Sequence, residues 1–194
     1  MNAPLRTESG FPRKPQDAYD TPPDEVRDLV PYLSGHRAYA EPCAGSGSLI
    51  EGLRRHAPHM HCAWAGDLHP RMKHGCVTAD AAEIVLPDYV TGAISNPPWP
   101  HAGREGDPAI SIILNLCRQR ETWMLLPFVF AANRYFARVA PHCFAILPIG
   151  RPSWEGNGVS GKKDCAWFGF RPVHVGAPVV LPRGDAAILS GGAG

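Results

Sequence analysis

Asn96, Pro97, Pro98 and Trp99 stand in succession directly after the short apolar run 92–95. These residue types at this spacing suit the holding of a planar amino nitrogen. Such a nitrogen is a poor nucleophile, because its lone pair is delocalised, and its protons need no prior removal by a strong base. Fixed acceptors on both N–H bonds help by aiming the lone pair. The Asn96 side-chain oxygen and the Pro97 carbonyl are such acceptors, set in place before any reaction begins. The two prolines stiffen the loop, and Trp99 can stack on the ring that bears the amine. Asn-Pro is also a common turn signal, and alone the stretch reads equally well as a proline turn over a buried tryptophan.

A second segment upstream shifts that balance. Glu41-Pro42-Cys43-Ala44-Gly45-Ser46-Gly47-Ser48 has the form of a tight glycine turn after a strand, where the missing Cβ lets backbone approach a ligand closely. The dinucleotide fingerprint would need glycine where Ile50 stands, and no GxxxxGK phosphate cradle exists. The turn therefore suits a ligand without pyrophosphate. Glu41 can accept from a ligand ammonium. Asp67 is spaced to accept both hydroxyl protons of a ribose, and Asp80 could accept from an adenine amino group. The plainer role for either aspartate is a cap or turn residue.

These acids need elements to position them. Strands are expected over Arg37–Glu41, His61–Ala65 with Asp67 at its end, Gly75–Ala79 ending at Asp80, Gly92–Ser95 ending at Asn96, Trp123–Val129, Cys143–Leu147 and Ala166–Phe170. A helix is expected from a Thr21 cap, with Pro22 in the first turn and Asp24 in a capping-box-like position, to about Leu33. Others are expected through Leu49, Ile50 and Leu53, from Asp107-Pro108 through Cys117, and over Asn133–Val139. Strands alternating with helices imply a mostly parallel sheet covered on both faces, the last two strands pairing antiparallel at its edge. Ligands then bind beyond the carboxyl ends of the strands, where Asp67, Asp80 and Asn96 all fall.

The bulk numbers agree with a folded chain. Its 194 residues are 44% hydrophobic with five tryptophans, and 20 glycines and 21 prolines punctuate apolar runs rather than forming tracts. The length predicts one domain over 17–182, with a flexible arm at 1–16 and a flexible tail at 183–194. A net charge of +1 does not by itself point to a polyanion partner, so nucleic acid would need a local basic surface. The six cysteines form no CxxC pair and fit reduced thiols. No apolar leader or run of membrane-spanning length is present, so a soluble, cytoplasmic protein with no membrane partner is expected.

The two motifs, in this order, resemble those of S-adenosylmethionine-dependent class I methyltransferases. Asn96-Pro97-Pro98-Trp99 matches the (N/D/S)-P-P-(Y/F/W) motif of the amino-methyltransferases. Asp17-Ala18-Tyr19-Asp20-Thr21-Pro22 resembles the segment that closes over the methionine end of the cofactor. Over about residues 17 to 170 the chain looks like a small phage- or prophage-type adenine-specific DNA methyltransferase. The resemblance implies an α/β, Rossmann-like fold with a seven-stranded mostly parallel sheet, an antiparallel edge strand and helices on both faces. It implies S-adenosylmethionine as cofactor, in contact with Tyr19, Thr21, Glu41, Cys43, Gly45, Gly47, Asp67, Leu68, Asp80 and Ala81. Asn96, Pro97, Pro98 and Trp99 would be the catalytic loop, and the exocyclic amino nitrogen of adenine in DNA the target.

Target recognition is less defined. No segment is large enough to form a separate recognition domain, which leaves near-non-specific methylation, a partner protein that supplies specificity, or RNA as substrate. The loops 100–106 and 150–164 interleave basic and aromatic residues, so Arg104, Arg151, Trp154, Lys162 and Lys163 are the expected nucleic-acid contacts. The His56, His59, His61 and Cys62 tract lies away from the expected active face, and no metal is expected. Competing readings are methylation of RNA adenine, methylation of a protein glutamine amide, and a catalytically silent S-adenosylmethionine-binding partner subunit. Trp99 and the short segment before Glu41 speak against the glutamine reading, and the intact 96–99 loop against the silent one.

Overall fold

The computed structural model describes residues 19–99, 107–154, 161 and 163–183. Among these residues eight strands form one sheet: β1 (Ala38–Glu41), β2 (His61–Asp67), β3 (Val77–Thr78), β4 (Gly92–Ser95), β5 (Glu121–Pro127), β6 (Cys143–Gly150), β7 (Cys165–Phe170) and β8 (Val179–Val180). Their order across the sheet is β3-β2-β1-β4-β5-β7-β6-β8. All pairings are parallel except those of β7, which runs antiparallel to both β5 and β6. The strand order reverses between β1 and β4, which opens a crevice at their carboxyl ends.

The period-two alternation of the strands feeds two cores. On β5, Trp123 and Leu125 enter one cluster while Met124 and Leu126 enter the other. Helix α1 (Ser48–His56) supplies Leu49 and Leu53 to the first face, and helix α2 (Pro108–Gln119) supplies Ile110, Ile113 and Leu116 to the second. Asp107 caps α2 by accepting from the Ala109 N–H at 3.0 Å, and Pro108 fills the first turn, where no N–H is needed.

Several elements differ from expectation. Residues 21–33 form two 3₁₀ turns, Pro23–Val26 and Val30–Tyr32, and no α-helix. Pro31 is the cause, since it lacks an N–H and its ring would clash with a carbonyl one turn back. Thr21 is no cap, and Asp24 takes the His56 imidazole at 2.8 Å in place of a capping box. The stretch Arg134–Arg138 is likewise 3₁₀. The third strand is two residues long, entered through Gly75 at φ +77°. β5 starts and ends two residues earlier than expected, so Phe128 begins a 3₁₀ turn, Phe128–Ala132. The eighth strand, β8, adds to β6 and takes the sheet edge. The arm 1–16 lies outside the described residues, as does the tail beyond Arg183, which holds Asp28 at 2.8 Å. Among the described residues no helix is long and apolar enough to cross a membrane. All six cysteines are free thiols.

Candidate active site

A cavity of about 530 Å³ opens where β1, β2 and β4 end. Its walls include Tyr19, Thr21, Glu41, Cys43, Gly45, Asp67, Leu68, Asp80 and Ala81 from the expected cofactor set, together with Asn96 and Pro98 of the 96–99 loop. Gly47 is not part of the wall. It precedes α1 at φ +87° with the Met72 side chain 3.3 Å from where a Cβ would stand, so its role is conformational.

Glu41 is 1% exposed at the floor of this crevice. Its Oε1 accepts from the Ser95 hydroxyl at 2.6 Å and the Cys43 N–H at 3.2 Å, while its Oε2 is buried with no hydrogen-bond partner. Burial pushes the carboxyl up to about 8, against the pull of the Ser95 and Cys43 bonds and with a small push from the Asp67 charge. The same burial raises the Cys43 thiol, with Glu41 adding to it. A buried acceptor left unpaired is expensive. The orphaned oxygen therefore fits a ligand that brings a cationic donor.

Asp67 holds the glycine turn. Its Oδ2 accepts from the Gly45 N–H at 2.8 Å and its Oδ1 from the His69 N–H at 2.7 Å. An ionised carboxylate has about four acceptor sites, so it retains capacity for ligand hydroxyls. Asp80 accepts from the Ala82 N–H at 2.8 Å, which is the turn-forming role, and still lines the cavity.

Asn96 is fixed at both ends of its amide. Its Nδ2 donates to the Thr21 hydroxyl at 3.1 Å, and its Oδ1 accepts from the Trp99 indole at 3.0 Å. The same indole N–H also reaches the Leu125 carbonyl at 3.1 Å. Trp99 meets Trp154 edge-on at 5.1 Å between ring centroids, and Trp154 meets Tyr19 at 6.5 Å. An aromatic chain thus joins the N-terminal segment, the late loop and the 96–99 loop. Of the other four expected substrate residues, two gather near a second cavity. Arg151 pairs with Asp164 at 3.0 Å, Lys163 lines a neighbouring cavity, and Arg104 and Lys162 lie outside the described residues.

Four residues join the site beyond the expected set: Asp20, Ser46 and Ser48, which lie inside the two motif segments, and Arg71, which lies outside them. Asp20 accepts from Ser46 at 2.6 Å and from Arg71 at 2.7 Å, and Arg71 also donates its backbone N–H to the Gly45 carbonyl at 3.0 Å. The Ser48 hydroxyl donates to the Thr21 carbonyl at 2.6 Å. These bonds lash the N-terminal segment across the glycine turn. Among the described residues no group of three or more His, Cys, Asp or Glu could hold a metal ion.

No protein-family profile matches the chain, and no curated protein matches it. Solved structures do. A protein from Listeria monocytogenes assigned to the class I S-adenosylmethionine-dependent methyltransferases is 17% identical, with 94% of this chain and 73% of that chain covered at a TM-score of 0.62. A methyltransferase subunit of a type I restriction-modification system from Streptococcus thermophilus is 11% identical, with 79% of this chain covered at a TM-score of 0.56. The EcoKI M protein, from a type I restriction enzyme, is 14% identical, with 81% of this chain covered at a TM-score of 0.50. This chain spans 45% and 46% of the length of those two subunits. The likeness establishes the fold, that of the class I S-adenosylmethionine-dependent methyltransferases.

Proposed function

We propose that the protein is an S-adenosylmethionine-dependent methyltransferase acting on the exocyclic amino nitrogen of adenine in DNA. One observation carries the reading. Asn96 and Pro98 of the amine-holding loop share a cavity with Glu41, whose buried oxygen lacks a partner, and with the strand-end acids Asp67 and Asp80.

The cofactor supplies an electrophilic methyl group carried on a sulfonium. Glu41 would receive its ammonium at Oε2, Asp67 would accept from the ribose hydroxyls, and Asp80 would accept from the adenine amino group. Tyr19, Thr21, Cys43, Gly45, Leu68 and Ala81 would complete the wall, with Gly47 holding the turn. Asn96 Oδ1 and the Pro97 carbonyl would accept the two N–H bonds of the target amine and so orient its lone pair. For Asn96 to do so, the Trp99 indole must release Oδ1. It keeps the Leu125 carbonyl when it does. Trp99 and Trp154 would face the base.

The structural neighbours among restriction-modification subunits favour DNA as the substrate, with a partner protein supplying sequence specificity. The test is methyl transfer to single-stranded DNA, duplex DNA, RNA and protein, with nucleoside analysis of the product. N6-methyladenine in DNA supports the reading, and product only in RNA or protein refutes it.

A further inference from the structure

A second cavity, of about 730 Å³, lies where β5 ends, lined by Pro127, Phe128, Val129, Ala132, Lys163 and Asp164. We propose that it seats an unstacked base next to the target in the nucleic-acid substrate, with the base on the ring of Phe128 and its phosphate at Lys163. This inference rests on the methyltransferase reading above and concerns how that substrate is held.

Phe128 and Val129 are 44% and 59% exposed, in a turn whose next residue, Phe130, is buried against Tyr135, Phe136 and Phe168. The turn is pinned further. Phe128 N–H donates to the Asp164 carbonyl at 2.8 Å, and the Asn133 amide donates to the Val129 carbonyl at 2.9 Å. An aromatic ring is therefore held outward on a fixed frame. Such a surface suits base stacking, which needs a π-face and tolerates any base. The volume falls within the usual range for small-ligand sites, roughly 300–1,000 Å³.

The charges fit a polyanion. Arg151 binds the Asp164 carboxylate at 3.0 Å, whereas the Lys163 ammonium makes no ion pair among the described residues. The rim therefore presents a free cation beside a neutralised acid. Position ties the cavity to the reactive loop. Trp99 donates to both Asn96, on the cofactor-side wall, and Leu125, whose strand ends at Pro127. From Leu125 to Phe128 the chain spans at most roughly 10 Å, so the cavity lies within reach of a nucleotide next to a target base held at Asn96.

The experiment measures methyl transfer to a single-stranded, adenine-containing oligonucleotide by wild type, Phe128→Ala, Phe128→Leu and Lys163→Ala, with circular dichroism on each. Both Phe128 variants should raise the oligonucleotide KM about tenfold, because leucine keeps apolar area without a stacking face. S-adenosylmethionine affinity and kcat at saturation should stay unchanged. Lys163→Ala should raise the same KM and lower the salt slope of oligonucleotide binding by about one. An unchanged KM in Phe128→Ala overturns the proposal. So does a Phe128→Leu variant that behaves as wild type while Phe128→Ala fails, which marks an apolar protein contact. A wild type that neither binds nor methylates nucleic acid overturns the DNA-methyltransferase reading and this inference together. Active wild type with indifferent Phe128 variants overturns only the inference.

Discussion

Replacing Glu41 by glutamine tests the cofactor site at its most constrained atom. The carboxyl is 1% exposed, and its two donors both serve Oε1, leaving Oε2 unpaired. Burial therefore raises it from 4.5 to about 8. A raised acid keeps its proton in the folded state through the window in which the unfolded chain has lost it. The stability it supports is complete below about pH 4.5, falls as pH rises, and levels off above about 8. The fall is about 1.4 kcal/mol per pH unit, on the order of 5 kcal/mol across the window. Glutamine has no such proton and preserves the shape. Urea unfolding between pH 5 and 9 should show Glu41→Gln gaining on wild type at that slope until pH 8. A difference independent of pH would refute the buried carboxyl.

Ligand binding gives the same group a second signature. An ammonium beside Oε2 favours the carboxylate, so below about pH 8 S-adenosylmethionine binding should release up to one proton. Calorimetry in two buffers of different ionisation enthalpy measures that release. Glu41→Gln should release none and bind more weakly by about 1.5–3 kcal/mol, the worth of a hydrogen bond to a charged group. 5′-Methylthioadenosine lacks the ammonium and should bind both proteins alike. Equal proton release by the two proteins would place the ammonium elsewhere.

Asn96→Ala should leave the fold and cofactor affinity intact and lower single-turnover methyl transfer by about a hundred- to thousandfold, about 2.7–4 kcal/mol by analogy with an oxyanion-hole donor. Wild-type-like turnover in the folded variant would remove Asn96 from the chemistry. Asp67→Ala removes the acceptor of the Gly45 and His69 N–H groups as well as the proposed acceptor of the ribose, so calorimetry should show affinity weakened by at least about 1.5–3 kcal/mol. Gly52→Ala would set a Cβ 2.5 Å from the Pro23 carbonyl oxygen, where helix α1 packs on the N-terminal segment, and denaturant melts should show a loss of about 1–3 kcal/mol.

The β1-turn-α1 unit and the strand-end acids were legible because each is local: an apolar run, a glycine turn, then a polar residue where the run stops. Asp67, Asp80 and Asn96 share the carboxyl edge because parallel strands share a direction, and alternation with helices predicts parallel strands. What escaped was set by particular prolines or by distant partners. Pro31 turns an apolar helical pattern into two short 3₁₀ turns, and periodicity does not register a missing N–H. β8 is two exposed valines whose strand character comes only from pairing with Ala145 and Ile146. The Asp20–Arg71 bond joins residues 51 positions apart, so no window along the chain contains it. Ser95 was in plain view inside the fourth strand, yet its tie to Glu41 appears only once β1 and β4 lie side by side.

Trp99 posed a choice in the sequence between core tryptophan and base clamp, and its surroundings dissolve the choice. It is half-buried and touches both cores, so it has a packing role. Its indole N–H is shared between the Leu125 carbonyl and Asn96 Oδ1. Only the Asn96 bond competes with a target amine. Losing that bond would leave no buried polar group orphaned: the indole would still have Leu125, and Asn96 would gain the proposed amine in exchange. Exchanging one hydrogen bond for another is inexpensive, whereas opening a site closed by an unreplaced bond is not. Asn96 is meanwhile held from its other side by Thr21, whose segment is lashed over the glycine turn. On the proposed reading the amide would be pre-set from the side of the glycine turn and released toward the substrate, the arrangement an acceptor needs if it is to orient an amine only when one is docked.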